Sequence, residues 1–122
     1  MKVRCIRIIN SVTGEEIQSS PWLTIRRDYI VLSVDVDQNK EVLFRLISDN
    51  SPSPVLFNSR QFEVVDGRLP SNWVAWNDET GAFGLRPKEW LRPGFWEDYF
   101  NNNLDAVHDF EKERTVIMTE AK

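Results

Sequence analysis

The chain is expected to be α+β: a small, strongly bent antiparallel sheet or barrel with C-terminal helices packed on it. Three observations predict this. Short apolar runs separated by turn residues recur through residues 1–86. The hydrophobic period lengthens after Pro87. With 122 residues and a single cysteine, Cys5, the chain matches one domain with one core and no internal disulfide. The expected layout is one domain over 1–122, mainly β in 1–86 and mainly helical in 88–114.

The elements follow in order. Lys2 to Ile9 reads as a strand with apolar side chains on both faces, and Asn10-Ser11 and Gly14 end it. Ile30, Leu32, Val34 and Val36 alternate without a miss, so Ser33 and Asp35 are expected to face away from the core. Asp37-Gln38-Asn39-Lys40 has the composition of a turn. Val42, Phe44 and Leu46 return on the inner face, which predicts a hairpin over 28–48. Pro52 and Pro54 exclude a central strand in the loop that follows. Val55–Phe57 and Phe62–Val65 read as short strands, and Asp66-Gly67 as a turn. Trp73–Trp76 and Phe83–Arg86 form a second hairpin around Asn77–Gly81.

Beyond Pro87 the pattern is helical. Trp90 to Phe100 holds five of the fourteen aromatics, with Glu97 and Asp98 between them. At helical spacing Phe95, Trp96, Tyr99 and Phe100 fall within about 140° of arc, opposite the two acids. The aromatics are therefore expected to pack on the sheet and the acids to face water. Asn103 is an N-cap candidate for a second helix, with Leu104, Ala106, Val107 and Phe110 as its apolar side. Residues 115–119 fit either a helical extension or a last strand.

Charge narrows the function classes. Residues 1–92 carry twelve Lys/Arg and twelve Asp/Glu, whereas residues 93–122 carry three and seven, so the net charge of −4 lies entirely in the last thirty residues. A nucleic-acid backbone calls for a basic surface instead. The sole histidine, His108, has neither a nucleophile nor a metal-ligand partner at useful spacing. The five glycines are scattered and form no phosphate loop. No catalytic residue, cofactor or metal is expected. The N-terminus lacks the apolar core of a signal peptide, and no apolar run nears the roughly 20 residues of a membrane span, so a cytoplasmic protein is expected.

Trp73, Trp76, Trp90 and Trp96 are too many for a small core to bury entirely. Acids beside half-exposed tryptophans suit recognition of a basic protein. The candidate protein-binding residues are Glu97, Asp98, Asp105, Asp109 and Glu113 for charge complementarity, with Trp96 or Trp76 as anchor.

The segments W-L-T-I-R-R-D-Y-I-V-L-S-V (Trp22–Val34), V-L-F-R-L-I-S-D-N (Val42–Asn50) and Q-F-E-V-V (Gln61–Val65) resemble small bacterial and phage proteins of SH3-like barrel type. With P-S-N-W (Pro70–Trp73) and L-R-P-G-F-W-E-D-Y-F (Leu91–Phe100), the layout also resembles the small acidic immunity proteins of bacterial polymorphic-toxin and contact-dependent growth inhibition systems. That resemblance implies a non-catalytic inhibitor that binds a cognate toxin domain, often a nuclease. The alternative is an SH3-like accessory module binding nucleic acid or a ribonucleoprotein through Arg26, Arg27 and Tyr29.

Overall fold

The computed structural model describes residues 1–122 as an α+β fold with ten strands and two C-terminal helices. The strands are β1 (Lys2–Cys5), β2 (Ile8–Ile9), β3 (Glu16–Ile17), β4 (Asp28–Ile30), β5 (Ser33–Val36), β6 (Val42–Ile47), β7 (Pro54–Asn58), β8 (Phe62–Asp66), β9 (Trp73–Asn77) and β10 (Phe83–Pro87). The helices are α1 (Phe95–Phe100) and α2 (Leu104–Glu120). The strands form three sheets, ordered β4-β1-β8, β7-β6-β5-β10-β9 and β2-β3. Every pairing is antiparallel.

Turn chemistry sets several boundaries. The Asn10 side chain accepts from the amides of Val12 and Thr13, and Gly14 adopts φ +74°. Asp37 Oδ1 accepts from the amides of Asn39 and Glu41 and closes the β5–β6 hairpin. Asp78 organises the β9–β10 turn in the same way through Thr80 and Ala82. These short polar side chains replace backbone partners locally, which is why the two hairpins are readable in sequence.

The run from Ile30 to Val36 departs from its expected form. Asp28–Ile30 pairs with β1, not with the 42–47 strand. At Val31 and Leu32 the chain turns a corner between sheets, where Val31 N–H donates to Met1 O and Leu32 N–H donates to Arg45 O. Both residues are fully buried, and so is Ser33, which the alternation had directed outward. The first expected strand is also split, because Ile6 and Arg7 leave β1 and both donate to Gln61 O before β2 begins.

The core joins the sheets to the helices. Val3, Cys5, Leu32, Phe44, Leu46, Trp90, Phe95, Phe110 and Ile117 all lie in it. Trp90 stacks on Phe110 at 5.1 Å between ring centres and on Phe95 at 6.3 Å. Trp73 Nε1–H donates to Leu32 O at 3.0 Å and ties β9 to the corner. Residues 115–119 are helical, so α2 runs unbroken to Glu120, where its carboxylate accepts from the Ser71 amide and hydroxyl. No helix is long and apolar enough to cross a membrane.

Candidate protein-binding surface

The α1–α2 junction is built by helix-end chemistry. Asn101 ends α1 and Asn102 takes the left-handed conformation, φ +62°. Asn102 N–H donates to Tyr99 O and Asn103 N–H to Asp98 O, the paired bonds of a Schellman motif. Asn103 then caps α2, its side chain accepting from Ala106 N–H at 3.1 Å. Two helix ends are thus satisfied within three consecutive asparagines, and the chain turns sharply.

That turn leaves two apolar side chains in water. Phe100 is 52% exposed and Leu104 is 84% exposed. Both correct the sequence reading, which put Phe100 in the buried arc and Leu104 on the apolar side of α2. Phe100 stands at the end of its arc on a helix only six residues long, and Leu104 occupies the first helical position, ahead of the turns that touch the body. The triple asparagine is the sequence signal that could have shown this, since it stops α1 at Phe100.

The proposed acids divide into two groups. Glu97 and Asp105 are exposed and Asp98 half-buried around the Phe100–Leu104 corner. Asp109 and Glu113 follow Asp105 at four-residue spacing on α2 but are engaged within the fold. Asp109 accepts from Arg92 at 2.7 Å, and Glu113 accepts from Asn72 Nδ2 at 2.9 Å. The corner therefore holds three acids whose carboxylates form no ion pair, beside two exposed apolar side chains.

The two proposed anchor tryptophans belong to a continuous layer that the sequence did not reveal. Ladder registers place Arg45 opposite Ser33, and Asp35, Gly84 and Trp76 in one row across β5, β10 and β9. Asp35 Oδ1 accepts from Arg86 Nη2 at 2.9 Å, and its other oxygen lies 3.8 Å from Arg45 Nη2. The Arg86 guanidinium sits 4.1 Å from the centre of the Trp76 ring, and that of Arg45 sits 3.9 Å from the Trp96 ring. The order is Trp76, Arg86, Asp35, Arg45, Trp96. Cation–π contact and a shared carboxylate stabilise two guanidiniums that are largely out of water. Burial pushes the Arg45 guanidinium down to about 10, against the opposing pull of Asp35. Both indoles are half-buried, and each has one ring face covered by a guanidinium.

Gly84 makes this layer possible. A Cβ there would lie 2.0 Å from Val34 O and 2.9 Å from Trp76 Nε1. Its bare backbone admits both the neighbouring strand and the indole.

The groups considered for nucleic acid are less available than their sequence suggests. Tyr29 is buried, with its hydroxyl donating to Asp49 and accepting from Thr24 N–H. Arg27 pairs with Asp49 at 3.0 Å. Arg26 is exposed, in the left-handed region at φ +77°. His108 is exposed on α2, and no three His, Cys, Asp or Glu side chains are placed to hold a metal ion. Comparison of the chain with known protein families, with curated proteins and with solved structures finds no match.

Proposed function

We propose that this chain is a non-catalytic protein-binding module that acts as an immunity protein, neutralising a basic toxin domain through its α1–α2 corner. One observation carries the reading: Phe100 and Leu104 stand in water among Glu97, Asp98 and Asp105. Exposed apolar side chains at a rigid turn supply buried contact area, and the acids around them attract a basic partner and speed encounter. The concentration of negative charge in residues 93–122 supports the same choice of partner. The immunity role and a toxin domain, such as a nuclease, as target rest on the resemblance of the whole layout, as does an SH3-like character for the sheet region.

The test begins with capture of partners from the native host by the full chain and identification of any basic protein retained. The candidate is then expressed with and without the chain in a test bacterium. Rescue of growth by the wild type, lost in the Phe100→Ser/Leu104→Ser double variant, is the expected result. Reversal of Glu97 and Asp98 to lysine should slow association about tenfold at low salt. Full rescue and unchanged binding by both variants would move the interface elsewhere, and tight, salt-steep binding to nucleic acid would remove the immunity reading.

A further inference from the structure

A second surface, sharing no residue with the α1–α2 corner, has the features of a strand-docking groove. Residues 11–19 are all exposed, forming an arm whose β3 pairs with β2. β2 is anchored to the body by the buried Ile8 and by Ile9 N–H donating to Gln61 Oε1. Between this arm and β7 runs an open groove of about 850 Å³. Ile9, Ile17 and Trp22 line one side of it, and Val55, Leu56 and Phe57 the other. Trp22 is 45% exposed, the most exposed of the large side chains on these walls, and Val12 at the arm's tip is 91% exposed.

The groove also offers backbone. β7 is the edge of the five-stranded sheet and pairs only with β6. No amide or carbonyl of Val55, Leu56 or Phe57 bonds to anything beyond that ladder. In an antiparallel edge strand alternate residues turn their peptide groups outward. Arg45 O faces Leu32, so β6 meets β7 at Phe57 and Val55, and Leu56 keeps its N–H and C=O free beside apolar side chains. Such an edge is a template for an added strand, whereas a helix brings no free backbone to it. Nothing in the sequence protects this edge except Pro54 at its start.

Charge at one end specifies the occupant further. Arg60 lines the groove just past β7, and Arg7 donates from Nη1 to Arg60 O. Neither guanidinium has a carboxylate within ion-pair distance. Glu41, also in the groove, is engaged by Asn58 Nδ2. Self-pairing of β7 across two copies would leave both cations uncompensated, because Pro-Val-Leu-Phe-Asn contains no acid.

We infer that this groove binds an extended segment of a partner protein as an added strand on β7, with alternating apolar side chains and an acidic residue over Arg7 and Arg60. The inference is independent of the toxin-inhibitor reading. Its test is selection of a random ten-residue peptide display library on the full chain, followed by synthesis of the enriched peptides. Enriched peptides should alternate apolar residues and carry an acid. They should slow exchange of the outward-facing Leu56 amide at least tenfold, and they should bind the Phe100→Ser/Leu104→Ser variant unchanged. Arg60→Glu should weaken them at least tenfold, and Arg60→Lys should largely restore binding. The inference is overturned if selection enriches nothing, if β7 exchange is untouched, or if Arg60→Glu binds as well as wild type. A dimer in sedimentation that Leu56→Glu dissociates would overturn it too, by making a second copy the occupant.

Discussion

Arg45 on β6 stacks against Trp96 on α1 while its guanidinium shares the Asp35 carboxylate with Arg86, so the first short helix is fastened to the sheet through a buried cation. The layer contains two cations and one anion, and the central carboxylate is the group that makes it tolerable.

Asp35→Asn should therefore destabilise the fold by about 3–5 kcal/mol, because it leaves two buried guanidiniums without counter-charge. Arg45→Met should be far milder, within about 1 kcal/mol of wild type or more stable, since it removes a desolvated charge and leaves the Arg86–Asp35 pair intact. Urea unfolding of both variants checks the ordering. Equal losses would mean that the carboxylate is not the controlling group.

Gly84→Ala should cost at least about 3 kcal/mol, at the upper end of single substitutions, because the added methyl would meet the backbone oxygen of Val34 at 2.0 Å. Gly67→Ala is the matched control. A Cβ there meets only Val64 Cγ1 at 3.9 Å, so stability should move by no more than about 0.5 kcal/mol. Comparable melting temperatures for the two variants would contradict the close approach.

The aromatic block separates by depth. Phe110→Ala, which empties a site stacked against Trp90, should cost about 3–5 kcal/mol. Phe100→Ala, half in water, should cost under about 1 kcal/mol. A large loss from Phe100→Ala would show that the exposed corner is a packing element after all.

Acid should weaken the fold in a defined direction. Hydrogen bonds from Arg68 hold Asp66 well below the usual carboxylate range. Asp28 is lowered by its bond from Arg4, Asp78 by the Thr80 hydroxyl and Glu120 by that of Ser71. Each folded value lies below the unfolded one, so these contributions are complete above about pH 5 and disappear as pH falls through the folded values. The urea midpoint should hold near pH 6 and decline below about pH 4. Asp66→Asn should reduce that decline, and a midpoint that rises on acidification would refute the assignment.

Cys5 is fully buried, and desolvation raises its thiol above the ordinary value. Thiolate reagents should label it only at the rate of unfolding, with urea accelerating the reaction in step with loss of structure. Rapid labelling of the native protein would show an opening of the β1 region.

Much of the fold was readable where side chains act on their own neighbourhood. Asp37 and Asp78 announced two hairpin turns and Asn103 a helix start, while Pro54, expected in the loop, opens β7 at the sheet edge. Phe44 and Leu46 showed which face of β6 turns inward, but not that Arg45 on the opposite face would also be buried. At the candidate site, the acids Glu97 and Asp105 were visible as charge, whereas Phe100 and Leu104 were misplaced. Helical phase specifies the direction of a side chain but not whether anything lies opposite.

The sequence by itself determined the α+β class, the positions of most strands along the chain, the two hairpins and the acidic C-terminal region, because these follow from alternation, turn chemistry and charge acting over a few residues. Only the tertiary structure decided the corner at Val31–Leu32, the Trp76–Arg86–Asp35–Arg45–Trp96 layer, and the exposure of the α1–α2 turn and the β7 edge. Asp35 meets Arg86 across 51 positions of chain. No local pattern encodes such a meeting, since its energy exists only once the sheets and helices have brought the charges together and removed the water between them.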